Sequence, residues 1–141
     1  LSKKLSEISA DLILDALSLF KKKDIIFKDQ NEKLVTYAKK ISKKESEIDW
    51  NQPAQKLIAK INGLNPNPGV WFKHNGTRIK IIEAELSDFQ GTKGEVLTND
   101  LAVGCQDKAI KINLLQKEGK KVLNTKNFLA GYKISKGEIL T

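Results

Sequence analysis

The sequence predicts a mixed α+β protein, mainly β: a small, partly open barrel of the OB type behind one leading helix, with a detached amino-terminal helix ahead of both. Three observations carry that prediction. Cationic and apolar residues alternate from Arg78 to Ile81 directly after an Asn75-Gly76 turn signal. Short apolar runs recur at 96–98, 101–105 and 110–114. Apolar residues at helical spacing occur ahead of them in two places, 5–20 and 54–61.

The first element is a helix in which Leu5, Ile8 and Leu12 form one stripe and Ile13, Ala16, Leu17 and Phe20 a second. Apolar on more than one face, it asks for burial on several sides, and nothing near it in sequence supplies that cover. It is therefore expected to lie exposed or to pack against another molecule, and an exposed helix of this kind offers a route to a dimer. Lys21, Lys22 and Lys23, with Asp24 after them, close it with cations at the end the helix dipole favours. From Ile25 to about Lys44 there is no sustained period, and the stretch reads as a flexible interdomain linker.

A second domain begins near Glu45. Asn51 is the expected cap of a helix carrying Pro53 in its first turn, with Ala54, Leu57, Ile58 and Ile61 as its inward stripe and Gly63 and Pro66 ending it. Trp50 is expected to pack beneath the helix start, its alternative being a stacking surface for nucleic acid. Pro66 and Pro68 predict an extended connection into Val70-Trp71-Phe72. The Asn75-Gly76 hairpin then returns through Arg78 to Glu85, with Ile79 and Ile81 inward. Residues 96–98 and 101–105 pair across Asn99-Asp100, Ile110, Ile112 and Leu114 face inward, and a short helix at 126–130 is capped by Thr125 and ended by Gly131.

Composition bounds the function. Hydrophobic residues are 40% and charged residues 30%, enough apolar content for a packed core, so a fully disordered chain is excluded. No apolar run approaches the roughly 18 residues of a membrane span, so no membrane partner is expected. A single cysteine, Cys105, forms no internal disulfide and fits a reducing compartment. The net charge is +8, and it is clustered. Lys39, Lys40, Lys43 and Lys44 stand together without an acid, and eight lysines between 108 and 136 face only Glu118. Such clustering suits a polyanion, because each phosphate contact releases condensed counterions; a merely solvated lysine face is the plain alternative. Arg78 is the one arginine among 25 basic side chains. Lysine is a flexible point charge, so the domain is expected to hold a backbone and a shape rather than to read bases.

Reactive chemistry finds few partners. His74, the one histidine, is expected at an exposed hairpin tip, and Cys105 as a small core residue. No Cys/His spacing matches zinc. Glu83, Glu85 and Asp88 read as solvated acids at a strand end. Gly91-Thr92-Lys93-Gly94 matches a GXXG backbone clamp, but strands flank it, so it reads as a turn.

Several ordered pieces also resemble a known family. Thr36-Tyr37-Ala38-Lys39-Lys40-Ile41, Ile48-Asp49-Trp50 and Leu64-Asn65-Pro66-Asn67-Pro68-Gly69 are followed by Thr77-Arg78-Ile79-Lys80-Ile81, Gly94-Glu95-Val96-Leu97 and Leu115-Gln116-Lys117-Glu118-Gly119-Lys120-Lys121. Over nearly the whole chain this order is similar to the linker and carboxyl-terminal domain of the methionyl-tRNA formyltransferases. The chain has no methionine and opens inside a helical pattern, which agrees with a carboxyl-terminal piece. The resemblance implies residues 1–23 as the last helix of a missing catalytic domain, 24–44 as the linker, and 45–141 as an OB-like tRNA-binding domain. It implies initiator methionyl-tRNA as partner, along with the catalytic domain of the same polypeptide, in the cytoplasm or an organelle matrix. The longer enzyme takes its formyl group from formyltetrahydrofolate. The family's catalytic asparagine, histidine and aspartate have no counterpart here, so this part is expected to bind no cofactor and to be inactive alone.

The tRNA contacts so implied fall on Lys40, Lys43 and Lys44 of the linker, with Arg78, Lys80, Lys108, Lys111, Lys117, Lys120 and Lys121. Where the family often has an arginine and an aromatic residue, this chain has Asn62-Gly63 and Asn67, a departure from the family pattern at that helix end. Two other readings compete. One is an autonomous OB-type module for single-stranded RNA, disfavoured because aromatics are only 6% and mostly at inward positions. The other is the equivalent domain of a formyltransferase acting on a different amine, against which the lysine surplus argues.

Overall fold

The computed structural model describes residues 2–23 and 25–141; the readings that involve Leu1 and Asp24 lie outside them. The chain divides into two compact units between Ala38 and Lys39. In the first, α1 (Ser2–Lys22) ends on Lys21 and Lys22. Its apolar side chains stand in solvent, Leu12 at 62% and Phe20 at 61% exposure, as the two overlapping stripes predict for a helix without cover. Phe20 meets Phe27 edge-on at 6.2 Å. From residue 25 to residue 42 the chain is irregular apart from the 3-10 turn Glu32–Leu34, whose Lys33 N–H is accepted by the Asn31 side chain.

The second unit is the predicted mixture of a leading helix and a curled antiparallel sheet. The elements are α2 (Ala54–Leu64), β1 (Val70–His74), β2 (Thr77–Ser87), β3 (Ala102–Gly104), β4 (Ala109–Lys117), β5 (Val122–Asn124) and α3 (Thr125–Gly131). The strand order is β1-β2-β4-β3, with β5 also on β4. One edge of β4 takes the whole of β2; the other takes β3 along its first half and β5 along its second. Beyond β3 the ring is completed by short pairings rather than long strands. Gly94–Leu97 pairs with β3, the stretch 137–140 pairs with Gly94 and Val96, and the Thr141 carbonyl accepts the Lys73 N–H of β1 at 2.8 Å. Joins of one to three bonds each leave the barrel partly open.

Alternation fills it. Val70, Phe72, Ile79, Ile81, Ile110 and Ile112 are fully buried, and Ala54, Leu57 and Ile61 of α2 add the helix stripe. Trp50 packs edge-on against Phe72 at 6.2 Å beneath the start of α2, as expected from its position.

Several local readings are corrected. The inward residue of β4 after Ile112 is Leu115, not Leu114, because the β2–β4 register shifts around Glu83 and moves the alternation by one residue. Asn51 does not cap α2: its amide is drawn into a turn around Asp49, and the Ala54 N–H is instead accepted by Asp107, 53 residues away, at 2.9 Å. The cap of α3 is Asn124, which accepts from the Asn127 N–H at 2.9 Å, while Thr125 is buried and its hydroxyl donates to the Ile112 carbonyl. The segment around Pro66 and Pro68 is a turn rather than an extended connector, and both X–Pro bonds are cis.

Candidate functional site

The basic residues singled out in the sequence fall into separate groups on the second unit. The first surrounds a groove of about 380 Å³ lined by Lys43, Asn67, Arg78, Lys80, Gln116 and Glu118. Its floor follows from strand register. Lys80 opposes Trp71 on one side and Gln116 on the other, and Arg78 opposes Lys73, so these side chains share the outer face while Ile79 and Ile81 fill the barrel. Trp71 is almost covered, 7% exposed, and the Arg78 guanidinium lies 4.4 Å from its ring centre. Lys73 Nζ is at 5.8 Å from the same ring. This cation–π contact braces the one arginine on the ring.

Lys80 is fixed by a different device. Its aliphatic stem lies so close over Gly69 that a Cβ there would fall 2.6 Å from Cδ, and Gly69 has a φ of +77°. Glycine adopts that conformation readily, and its missing Cβ leaves room for the Lys80 stem. Lys43 comes to the groove from a turn at residues 43–46. There Ser42 and Glu45 cap each other, the Ser42 N–H donating to the Glu45 carboxylate at 2.7 Å and the Glu45 N–H to the Ser42 hydroxyl at 3.2 Å. These bonds from Ser42 hold the Glu45 carboxyl below its ordinary range. Lys43 and Lys44 therefore sit in a hydrogen-bonded turn, and Lys40 precedes it in exposed, irregular chain.

A second group, Lys117, Lys120 and Lys121, rims a cavity of about 370 Å³ floored by Leu123, Phe128 and Tyr132. Lys117 opposes the buried Ile79 and so belongs to the inward face. It runs out along its stem until its ammonium lies over the Tyr132 ring, 4.7 Å from the centre.

Lys108 and Lys111 lie apart, toward the other end of the β2–β4 ladder. Lys108 contacts Asp88 at 2.7 Å and Lys111 contacts Asp100 at 2.9 Å. Each carboxylate raises its lysine's pKa above the ordinary value, first by the hydrogen bond and then by its charge. Among the described residues no carboxylate pairs with Arg78, Lys80, Lys117, Lys120 or Lys121.

Two residues that the sequence reading left out of any site organise it. Trp71 carries Arg78, and its place on the outer face was readable from β1 alternation once Phe72 was taken as inward. The other is His74. Instead of standing exposed it is 6% exposed, because alternation from Val70 and Phe72 carries it inward at the end of β1. Its Nε2 is 2.7 Å from Glu138 Oε2 and its Nδ1 is 3.1 Å from the Tyr132 hydroxyl, which donates to the His74 carbonyl at 2.9 Å. The cluster ties β1 to the closing stretch and to the residue after α3. Cys105 is buried, and burial pushes its thiol up to about 11, so it is not a thiolate at neutral pH. Among the described residues no three His, Cys, Asp or Glu side chains gather to hold a metal ion, and no helix is long and apolar enough to cross a membrane.

Residues 40–133 match the family model described as the formyl transferase, C-terminal domain. The chain is 42% identical over 142 residues to methionyl-tRNA formyltransferase of Pelagibacter ubique, covering all of this chain and 46% of that protein. It is 39% identical to that of Rickettsia bellii, covering 92% of this chain and 43% of that protein. It thus spans less than half the length of the curated relatives it matches. In fold it resembles HypX from Aquifex aeolicus in complex with tetrahydrofolic acid, with a TM-score of 0.66 and 22% identity over 93% of this chain and 26% of that one.

Proposed function

The chain belongs to the formyl transferase carboxyl-terminal domain family, and from that premise we propose that it is the tRNA-holding part of a methionyl-tRNA formyltransferase. In this reading α1 is the last helix of a catalytic domain carried by the same polypeptide, and residues 24–44 are the linker. The whole enzyme moves a formyl group from formyltetrahydrofolate to the methionyl amine of initiator tRNA, in the cytoplasm or an organelle matrix. This part supplies electrostatic positioning, holding the tRNA so that its acceptor end reaches the chemistry. Its grip is made by Arg78 and Lys80 with Lys40, Lys43 and Lys44, and by Lys117, Lys120 and Lys121. Lys108 and Lys111 act as a weaker flank because acids already occupy them.

The observation that carries the reading is the groove of Lys43, Arg78 and Lys80, in which the arginine is braced on Trp71 and the lysine stem is seated on Gly69. A solvated lysine face has no need of such bracing. The alternative of a small amine substrate is disfavoured because basic side chains rim two separate cavities, a broader cationic field than one small ligand meets.

Initiator tRNA titrated against the chain in gel shifts from 50 to 200 mM salt tests the proposal. With about five phosphates engaged, affinity falls on the order of a hundredfold across that range. A flat salt response, or no shift at low salt, would falsify the grip.

A further inference from the structure

We propose that the cavity beside α3 takes one unpaired nucleotide of the RNA, its base against Leu123 and Tyr132 and its phosphate between Lys120 and Lys121. This rests on the tRNA-holding reading and specifies what that surface takes up.

A duplex backbone requires cations only. The rim of this cavity meets that requirement, but its floor is apolar and aromatic, formed by Leu123, Phe128 and Tyr132. Leu123 is 40% exposed and its neighbour Val122 44% exposed, on a strand with no buried residue. Apolar side chains kept in water directly beside three unpaired lysines complement a ligand that is flat and apolar at one end and anionic at the other. A nucleotide has that form. The volume, about 370 Å³, lies within the roughly 300–1,000 Å³ of small-molecule sites.

The platform is also fixed in advance. The Tyr132 hydroxyl is tied to the His74 carbonyl at 2.9 Å, and the ring is wedged against His74 and Phe128, each with its centre 5.4 Å away. A ring already held loses little freedom when a base settles on it. Lys117 marks the open face, since its ammonium rests over the ring, where it can swing to the phosphate when a base enters. Asn127 stands at the rim with its backbone N–H engaged by the Asn124 cap, leaving its amide to meet a base edge. Among the described residues no acidic side chain lines the cavity.

The test compares two RNA hairpins with equal numbers of phosphates, one fully paired and one with a single bulged nucleotide, titrated against the full chain by fluorescence anisotropy. The bulged hairpin binds about fivefold tighter or more. Leu123→Ser, at an exposed position, abolishes that preference and leaves the affinity for the paired hairpin unchanged. Equal affinity for both hairpins overturns the nucleotide site while leaving the phosphate grip standing. A preference that survives Leu123→Ser overturns its location. Failure to bind either hairpin removes the grip, and this inference with it.

Discussion

At the scale of single residues, His74 shows how burial changes the role a sequence position implies. Beside an Asn-Gly turn a histidine reads as exposed, yet here it is enclosed and paired with Glu138. The carboxyl of Glu138 is held below its ordinary value first by the hydrogen bond with His74, then by those with Ser135. A carboxyl whose folded pKa is depressed contributes stability that is complete above its unfolded value. That contribution is lost as the pH falls through the folded value. The midpoint of urea unfolding is therefore expected to drop between about pH 5 and pH 3 more steeply in the parent chain than in Glu138→Gln. Parallel profiles for the two proteins would mean that the pair contributes nothing to holding the closing stretch on β1.

At the scale of elements, the barrel depends on joins of at most three hydrogen bonds, so close backbone approach decides whether it closes. Gly104 is the tightest case, since a Cβ there would lie 2.2 Å from the Thr92 carbonyl oxygen. Its own N–H donates to Glu95 and its carbonyl accepts from Gly94. Gly104→Ala therefore forces the 91–95 loop away from β3, with an expected loss of about 1–3 kcal/mol in chemical denaturation. A variant as stable as the parent would show that the loop yields freely. The strands and α2 were legible because alternation and the 3.6-residue stripe are local signals, and Asn75-Gly76 fixed the hairpin register. What escaped was set at long range. Asp107 replaces Asn51 as the partner of the first α2 amide from across the fold. The register shift that substitutes Leu115 for Leu114 depends on how β2 and β4 meet. The joins at 94–97 and 137–140 are too short to carry a period. The site was legible as charge, but its bracing by Trp71 and Gly69 appears only once β1 and β2 are side by side.

At the scale of the whole second unit, the question is how a surplus of lysine becomes a directed surface. Acids do the sorting. Asp88 and Asp100 engage Lys108 and Lys111, while among the described residues no carboxylate forms an ion pair with Arg78 or Lys80. Exposed pairs of this kind add little stability, so their consequence lies in the field they cancel. Lys80 pairs with Gln116, which lies eight positions along the chain from Lys108, the residue just before β4, about 26 Å at the usual strand rise. That separation is more than twice the screening length at physiological salt, so the two ends act on a polyanion independently. Lys80→Gln is accordingly expected to reduce the slope of log affinity against log salt for tRNA by about one. Lys108→Gln should leave the slope nearly unchanged, because that lysine releases Asp88 before it can meet a phosphate. If both substitutions lower the slope equally, the grip extends along the full ladder and the acids do not direct it.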